Sequence, residues 1–524
     1  MLDLKITNGR ILDGTGAPWF RGDVGVRGEV IVALGDLADM PAKNTIDAKD
    51  RIVSPGFIDL LGWSQTSVIE DPDLESKVRQ GVTTEIAGEG VSPGPRRADR
   101  VTKEEPWQTL GDFLDQLDRQ GAAVNFALLV GASNPREMVI GNVNRVATAE
   151  EMRQMEAIVD QAMRDGAIGL STSLIYVPAM YSTTEEIINF ARVAAKYDGM
   201  YFSHIRDEGD HIDSALDEAF RIGREGGIPV NVWHLKIGGR TNWGRMPSII
   251  ARIAAARTEG LDVAANVYPY AASSTGLSTL IPDWAMDGGY SAMRVRLQNL
   301  EDRARIAEAL RGQYAKRGPR GIYVTQIYNE AQDKYEKKFI EEIAEMMAVP
   351  VEEALIALFA EGTISPRVIF FSMNEDDVRY ALQQPWVSVG SDASAPSAKM
   401  RAENTAVHPR AYGSFPRVLG HYVRDAKLFT LEEAVRKITS QAASRAHIFD
   451  RGILLPGMKA DIVVFDPATI NDPSTFEDPH HFSEGISDVI VNGVPVLRDG
   501  AMTGARPGKT IRGKGYKPLR KPNS

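Results

Sequence analysis

The chain has 524 residues, 43% of them hydrophobic and 25% charged, with a net charge of −10 and no cysteine. The acidic balance excludes the basic face of a nucleic-acid binder, and the lack of cysteine excludes disulfides and every thiolate-based metal site or nucleophile. No apolar run reaches the ~18 residues of a membrane span and the opening MLDLKITNGR has no signal pattern, so a cytoplasmic protein without a membrane partner is expected.

The length exceeds one ordinary domain and predicts a large unit with an accessory one. Residues 2–54 alternate apolar and polar positions around the turn pairs Asn8-Gly9 and Asp13-Gly14. They predict an antiparallel β unit too small to bury a core alone. Matching strands recur at 451–466 and 489–500, the second pair turning at Asn492-Gly493. A small composite β-sandwich domain, built from 1–54 and 450–524, accommodates both ends.

Between them, 55–449 alternates strands with helices, the pattern of a (β/α)8 TIM-like barrel. Strands are predicted at 57–60, 82–87, 124–130, 168–171, 200–203, 230–233, 263–267 and 387–390. Helix 150–164 sets Met152, Met155, Ile158, Val159 and Ala162 at three- and four-residue spacing. The interval 282–384, with helices predicted at 293–312 and 335–347, reads as an insertion near the active-site mouth. The tail 506–521, basic and rich in Gly and Pro, reads as a solvated strap rather than a binding arm.

Of eight histidines none precedes His204. His204 and His234 each close an apolar run, with a helix predicted over 213–225 between them. Strand C-termini of such a barrel face the active site, and imidazole is the commonest metal ligand; spacing alone leaves a core role equally open. Glu89 follows the second strand and Asp392 the eighth. One carboxylate and two imidazoles suit a catalytic zinc with an open position for water. A further carboxylate beside that water would act as general base and then acid. His211, His421, His447, His480 and His481 lack partners at useful spacing and read as structural. His408, beside Arg410, reads as shaping a pocket, and Glu85 as part of a polar network. No glycine cluster has phosphate-binding spacing.

The segments PGFID (55–59), GVTTE (81–85), GAIGLSTSLIYVP (166–178), SHIRDE (203–208), HLK (234–236), YPYAASST (268–275), SDAS (391–394), HPRAYGSFPRVLG (408–420) and PGMKADIVVFD (456–466) follow in order. Together they resemble the D-aminoacylase (N-acyl-D-amino-acid deacylase) family of the metal-dependent amidohydrolases. The resemblance implies the barrel, the composite sandwich and hydrolysis of the amide bond of N-acyl-D-amino acids. It implies His204 and His234 as zinc ligands, Asp392 as the proton-transferring carboxylate, and Lys236, Tyr268, Ser274 and Arg410 as substrate-binding residues. Arg410 would grip the substrate carboxylate bidentately with Lys236 as a point charge, and Tyr268 would donate to the amide oxygen as it becomes an oxyanion.

Two departures alter the expected centre. The family continues PGFID into a His-x-His pair, where this chain has Leu61 and Trp63; the metal position served by that pair is expected to be empty, filled by apolar bulk. Glu89 stands where the family carries a cysteine ligand. The expectation is one divalent metal ion on Glu89, His204 and His234, zinc first, with Mn2+ or Fe2+ competing better than at a thiolate site. No lysine follows the fourth strand, so no carbamylated-lysine bridge is expected. The partner is a small-molecule N-acyl amino acid, and a homo-oligomer is compatible with the chain. Two other readings stay open: an amide or peptide hydrolase of the same superfamily with a drifted substrate, and a catalytically silent binding homologue.

Overall fold

The computed structural model describes residues 1–517 apart from 361 and 363. Apolar runs covered on both faces build two parallel sheets. In one, Val387–Val389, Val263–Val267, Val230–Val232, Met200–His204, Gly169–Ser173 and Val130–Gly131 lie side by side in that order; in the other, Phe57–Gly62 pairs with Val82–Ala87 and that with Asn125–Leu128. Every residue of these strands is buried, as a parallel sheet covered on both faces requires. Hydrogen bonds join the sheets at both edges. Leu129 N–H donates to the Ala87 carbonyl and Ile168 N–H to that of Leu128; on the other side Asp392 N–H donates to the Leu61 carbonyl and Trp63 N–H to that of Ala393. All the predicted parallel strands are present, with bounds moved by a few residues and 124–130 divided at Leu129.

Helices cover these sheets because their apolar stripes point inward. Ala149–Asp165 opens on a capping box between Thr148 and Glu151 and buries Met155, Val159, Ala162 and Met163. Ile212–Gly226 buries Ala215, Leu216, Ala219, Phe220 and Ile222 and stops at Gly227.

The chain ends form one nine-stranded sheet. Its path runs Ala501–Met502, Val494–Arg498, Ile486–Val491, Ile462–Phe465, Ile52–Pro55, Leu2–Ile11, Phe20–Arg27, Val30–Gly35, with Ala42–Asp47 also paired to Leu2–Ile11. The turn expected at Asn8-Gly9 is instead a bulge inside the continuous strand Leu2–Ile11: the register with Phe20–Arg27 shifts between Ile6 and Gly9, and Asn8 takes φ +57°. An Asn-Gly pair satisfies either geometry, since both need a left-handed residue. Here Gly9 is required by close approach, because a Cβ would stand 2.6 Å from Val53.

Residues between the last two strands of the six-stranded sheet build an antiparallel sheet of their own: Ser273–Gly276, Arg367–Phe370, Ile322–Gln326 and Lys338–Phe339. It has a separate core of Leu277, Leu280, Ile306, Leu310, Ile343, Leu355 and Phe359. The single helix expected over 293–312 is two, Tyr290–Arg296 and Leu300–Arg317, because the Asn299 side chain accepts from Glu301 and Asp302 N–H and starts a new helix. The helix expected over 335–347 begins at Ile340, after the short strand Lys338–Phe339.

The tail is not the solvated strap expected. Gly508 and Thr510 bridge Ala122 and Phe126, Arg512 pairs with Asp115 and Asp118, and Lys514 with Asp198. Arg512 thus meets two acidic residues of the helix Leu110–Gln120 and Lys514 one in the turn after Thr184–Ala195; residues 518–521 lie outside the described part. Among the described residues no helix is long and apolar enough to cross a membrane.

Candidate metal centre

Glu89, His204 and His234 converge. Glu89 sits between Gly88 (φ +100°) and Gly90 (φ +65°), a turn only glycines make without strain, which lifts its carboxylate off the end of Val82–Ala87. His204 closes Met200–His204, and His234 follows Val230–Val232 at φ +35°, its N–H held by Asn266 Oδ1. Glu89 Oε1 lies 2.7 Å from His204 Nδ1 and 3.1 Å from His234 Nε2, and it also accepts the Ser173 hydroxyl. The imidazoles meet edge to face at 4.4 Å, and one ligand atom from each of the three residues lies within 4.8 Å of the others.

These residues fit a divalent cation. They are buried, they offer one oxygen and two nitrogens, and among the described residues His204 Nε2 makes no hydrogen bond. The electrostatics point the same way. Burial alone would raise the Glu89 carboxyl, yet His234 and His204 hold it well below the carboxylate range. Burial and Lys236 oppose protonation of His234, but Glu208, Glu89 and Asp392 outweigh them and push its pKa up to about 9. The cluster carries opposed charges that a cation would replace.

Glu208 is a site residue the sequence reading did not assign. Its Oε1 lies 3.0 Å from His234 Nδ1 and 2.5 Å from Lys236 Nζ, and Oε2 lies 3.5 Å from His204 Nε2. Against burial, His204, Lys236 and His234 keep its carboxyl below the ordinary range. A carboxylate on the far nitrogen of a ligating imidazole fixes the tautomer that presents a lone pair to the metal. The SHIRDE segment contains Glu208, four residues after His204, but spacing gives it no direction.

A cavity of about 800 Å3 opens from this cluster, and its wall includes Trp63, Lys236, Ser274, Met373, Asp392 and Arg410. Asp392 stands at φ +50° beyond the last parallel strand. Its Oδ1 accepts the Trp63 indole N–H at 3.0 Å and its Oδ2 pairs with Arg410 Nη1 at 2.7 Å. His234 and Asp392 are both non-glycine residues in the left-handed region, a strain that concentrates at functional sites. Arg410 Nη2 donates to the Ser274 carbonyl, Nε and Nη1 make no hydrogen bond among the described residues, Nη1 serving only the ion pair with Asp392, and the guanidinium lies over the Tyr268 ring at 4.7 Å. Tyr268 sits one layer behind the wall, with its hydroxyl on Met373 Sδ at 3.5 Å. His408 supports this corner: Nδ1 accepts Arg410 N–H and Nε2 reaches the Ala272 carbonyl.

Leu61 is fully buried, as apolar filling, whereas Trp63 is only partly so and brings a polar edge to Asp392. Beneath them is a second unassigned residue, Lys77. Its ammonium is fully buried, 2.6 Å from Asp59 Oδ2, 3.2 Å from Glu85 Oε2, 2.8 Å from Ser391 Oγ and 2.7 Å from the Ala393 carbonyl. Burial disfavours its charge, but Asp59 and Glu85 outweigh that and raise its pKa. The polar network expected for Glu85 is this one. His421, His447, His480 and His481 stand apart from the metal cluster; His480, for example, bonds Tyr412 and the Thr405 carbonyl, whereas His211 lines the same cavity without joining the cluster.

Residues 44–497 match the model of an amidohydrolase family. The chain is 36% identical to a D-aminoacylase of Alcaligenes xylosoxydans xylosoxydans, covering 97% of each chain. It superposes on the crystal structure of D-aminoacylase with a TM-score of 0.84 at 36% identity, over 98% of this chain and 100% of that one. It also superposes on N-acyl-D-glutamate deacylase from Bordetella bronchiseptica, complexed with zinc and a phosphonate mimic of the tetrahedral intermediate, with a TM-score of 0.83 at 35% identity, over 98% and 99% of the two chains.

Proposed function

Because this chain belongs to the amidohydrolase family and to its D-aminoacylase branch, we propose that it hydrolyses the amide bond of N-acyl-D-amino acids with one divalent metal ion. The observation that carries this reading is the convergence of Glu89, His204 and His234 at one end of a cavity whose wall also holds the Asp392–Arg410 pair. We read the two parallel sheets as one closed (β/α)8 barrel over 55–449, the nine-stranded sheet as a composite domain of 1–54 and 450–524, and the separately cored sheet near 282–384 as an insertion covering the mouth.

Glu89, His204 and His234 would hold the ion, zinc by preference, with Glu208 orienting His234. When bound, such an ion acidifies water and polarises a carbonyl. Arg410 binds the free carboxylate of the substrate: its Nε is already without an acceptor, and its fork matches a carboxylate bidentately. Lys236 adds charge and Ser274 lines the same wall. As Arg410 turns to the substrate, Asp392 loses its cationic partner and accepts a proton from the attacking water. It then returns that proton to the leaving nitrogen, releasing a carboxylate and a free amino acid. The Tyr268 hydroxyl, whose hydrogen-bond partner among the described residues is the Met373 thioether on the cavity wall, would donate to the carbonyl oxygen as charge develops there once Met373 gives way.

Paired N-acetyl-D- and N-acetyl-L-amino acids, assayed alongside elemental analysis, test the reading. Metal-dependent release of the D-amino acid is expected. A metal-loaded protein that releases neither enantiomer defeats it.

A further inference from the structure

Of Leu61 and Trp63, which stand where the resemblance implies a His-x-His pair, Trp63 faces the cavity and Leu61 is fully buried. Among the described residues, the Asp392 carboxylate has one side-chain partner on each oxygen: the Trp63 indole N–H on Oδ1 at 3.0 Å and Arg410 Nη1 on Oδ2 at 2.7 Å. These partners differ in permanence. Arg410 has its Nε unsatisfied and Nη2 on a backbone carbonyl, so a substrate carboxylate competes directly with Asp392 for it. The indole, a single neutral donor on the same wall, offers a carboxylate less than the charged fork of Arg410 does.

Trp63 and Asp392 also share one backbone bracket. Asp392 N–H donates to the Leu61 carbonyl at 2.8 Å, and Trp63 N–H donates to the Ala393 carbonyl at 3.1 Å. Lys77 and Asp59 pin the same bracket from below, through Ser391 Oγ, Ser391 N–H and the Ala393 carbonyl. The indole and the carboxylate are therefore set at a fixed register across the join between the two sheets. An indole N–H donates only. It neither takes a proton from Asp392 nor ligates a metal.

We propose that Trp63 is a positioning residue for the general base: it anchors Asp392 Oδ1, so that Oδ2 is the oxygen left free to accept the proton once Arg410 has moved to the substrate. This rests on the base role of Asp392 and adds to it which oxygen works and what holds it.

Trp63→Phe keeps an aromatic ring and removes the N–H, while Trp63→Gln restores an N–H donor at similar reach without adding a metal ligand. In Trp63→Phe, kcat is expected to fall by about 10- to 100-fold with KM and bound zinc within about twofold of the parent, since misplacing a catalytic group by ~1 Å carries that penalty. Trp63→Gln should recover much of the loss. A crystal structure of Trp63→Phe should show the Asp392 carboxylate rotated from its present place, a readout independent of substrate. An unmoved carboxylate, an unchanged kcat, or equal losses in both variants would overturn the proposal. A parent that hydrolyses no N-acyl-D-amino acid, or an active Asp392→Asn, would instead defeat the functional reading, and the crystallographic arm would still decide the role of Trp63.

Discussion

Glu208 Oε1 lies 3.0 Å from His234 Nδ1, on the side of the ring turned away from Glu89. Lys236 Nζ lies 2.7 Å from the same Nδ1 and 2.5 Å from Glu208 Oε1, so on the proposed reading the carboxylate holds the ammonium and accepts the Nδ1 proton that leaves Nε2 to offer a lone pair. Carboxylates in this position typically carry 10- to 100-fold in metal affinity or activity. Glu208→Gln should weaken zinc binding by about that factor with an unchanged circular dichroism spectrum. Competition with a chromophoric chelator measures it, and an unaltered zinc affinity would remove Glu208 from the centre.

On the proposed mechanism Asp392→Asn would remove the proton acceptor and leave Glu89, His204 and His234 intact. Zinc content should match the parent, and kcat should fall by about 10²- to 10⁴-fold, the usual contribution of a general acid–base group. Substantial retained turnover would place the base elsewhere.

Arg410→Ala should act mainly through KM, and only for substrates with a free α-carboxylate. The comparison is an N-acetyl-D-amino acid against its amide. The parent should prefer the acid strongly and the variant should lose that preference; a preference that survives would show that another group reads the carboxylate.

Protonation of the metal-free cluster has a sign that can be checked. His234 is raised from 6.5 to about 9 in the fold. Its charged form therefore stabilises the metal-free protein below pH 6.5, and that contribution is lost as pH rises through about 9. A cation must displace the proton, so zinc affinity should climb with pH up to the same region and then level off. Calorimetry at pH 7.5 in buffers of different ionisation enthalpy should show about one proton released per ion. Binding without proton release would mean that His234 is neutral before the ion arrives.

Lys77→Met is expected to destabilise the chain by ~3–5 kcal/mol, because it leaves Asp59 and Glu85 buried without their cation. The chemical denaturation midpoint reads this out. A midpoint equal to that of the parent would mean that the two carboxyls simply take up protons and that the ammonium is dispensable.

The sequence by itself determined the parallel strands and the residue types at their ends. An apolar run that stops at a histidine, glutamate or aspartate is a local pattern; one alone fits a core residue equally well, and it is four of them at the ends of parallel strands that point to a site. Glu89, His204, His234 and Asp392 were legible for this reason. The ordered motifs supplied Lys236, Tyr268, Ser274 and Arg410, whose spacing alone says nothing. Only the tertiary structure decided the rest, because it depends on contacts between distant stretches. The Trp63 indole meets a carboxylate 329 positions later, and Lys77 lies in the short helix Glu75–Val78, where a lysine ordinarily faces water; its burial follows from Ser391 and Ala393 closing over it. Glu208 points at His234 rather than at solvent because its segment folds back to accept the Gly238 N–H. Asn8-Gly9 is equally competent as a turn or a bulge until Phe20–Arg27 pairs with it, and the basic tail looks solvated until Asp115, Asp118 and Asp198 are brought beneath it. Hydrophobic periodicity is a property of neighbours in sequence, whereas the partner of a buried charge is chosen by the whole fold.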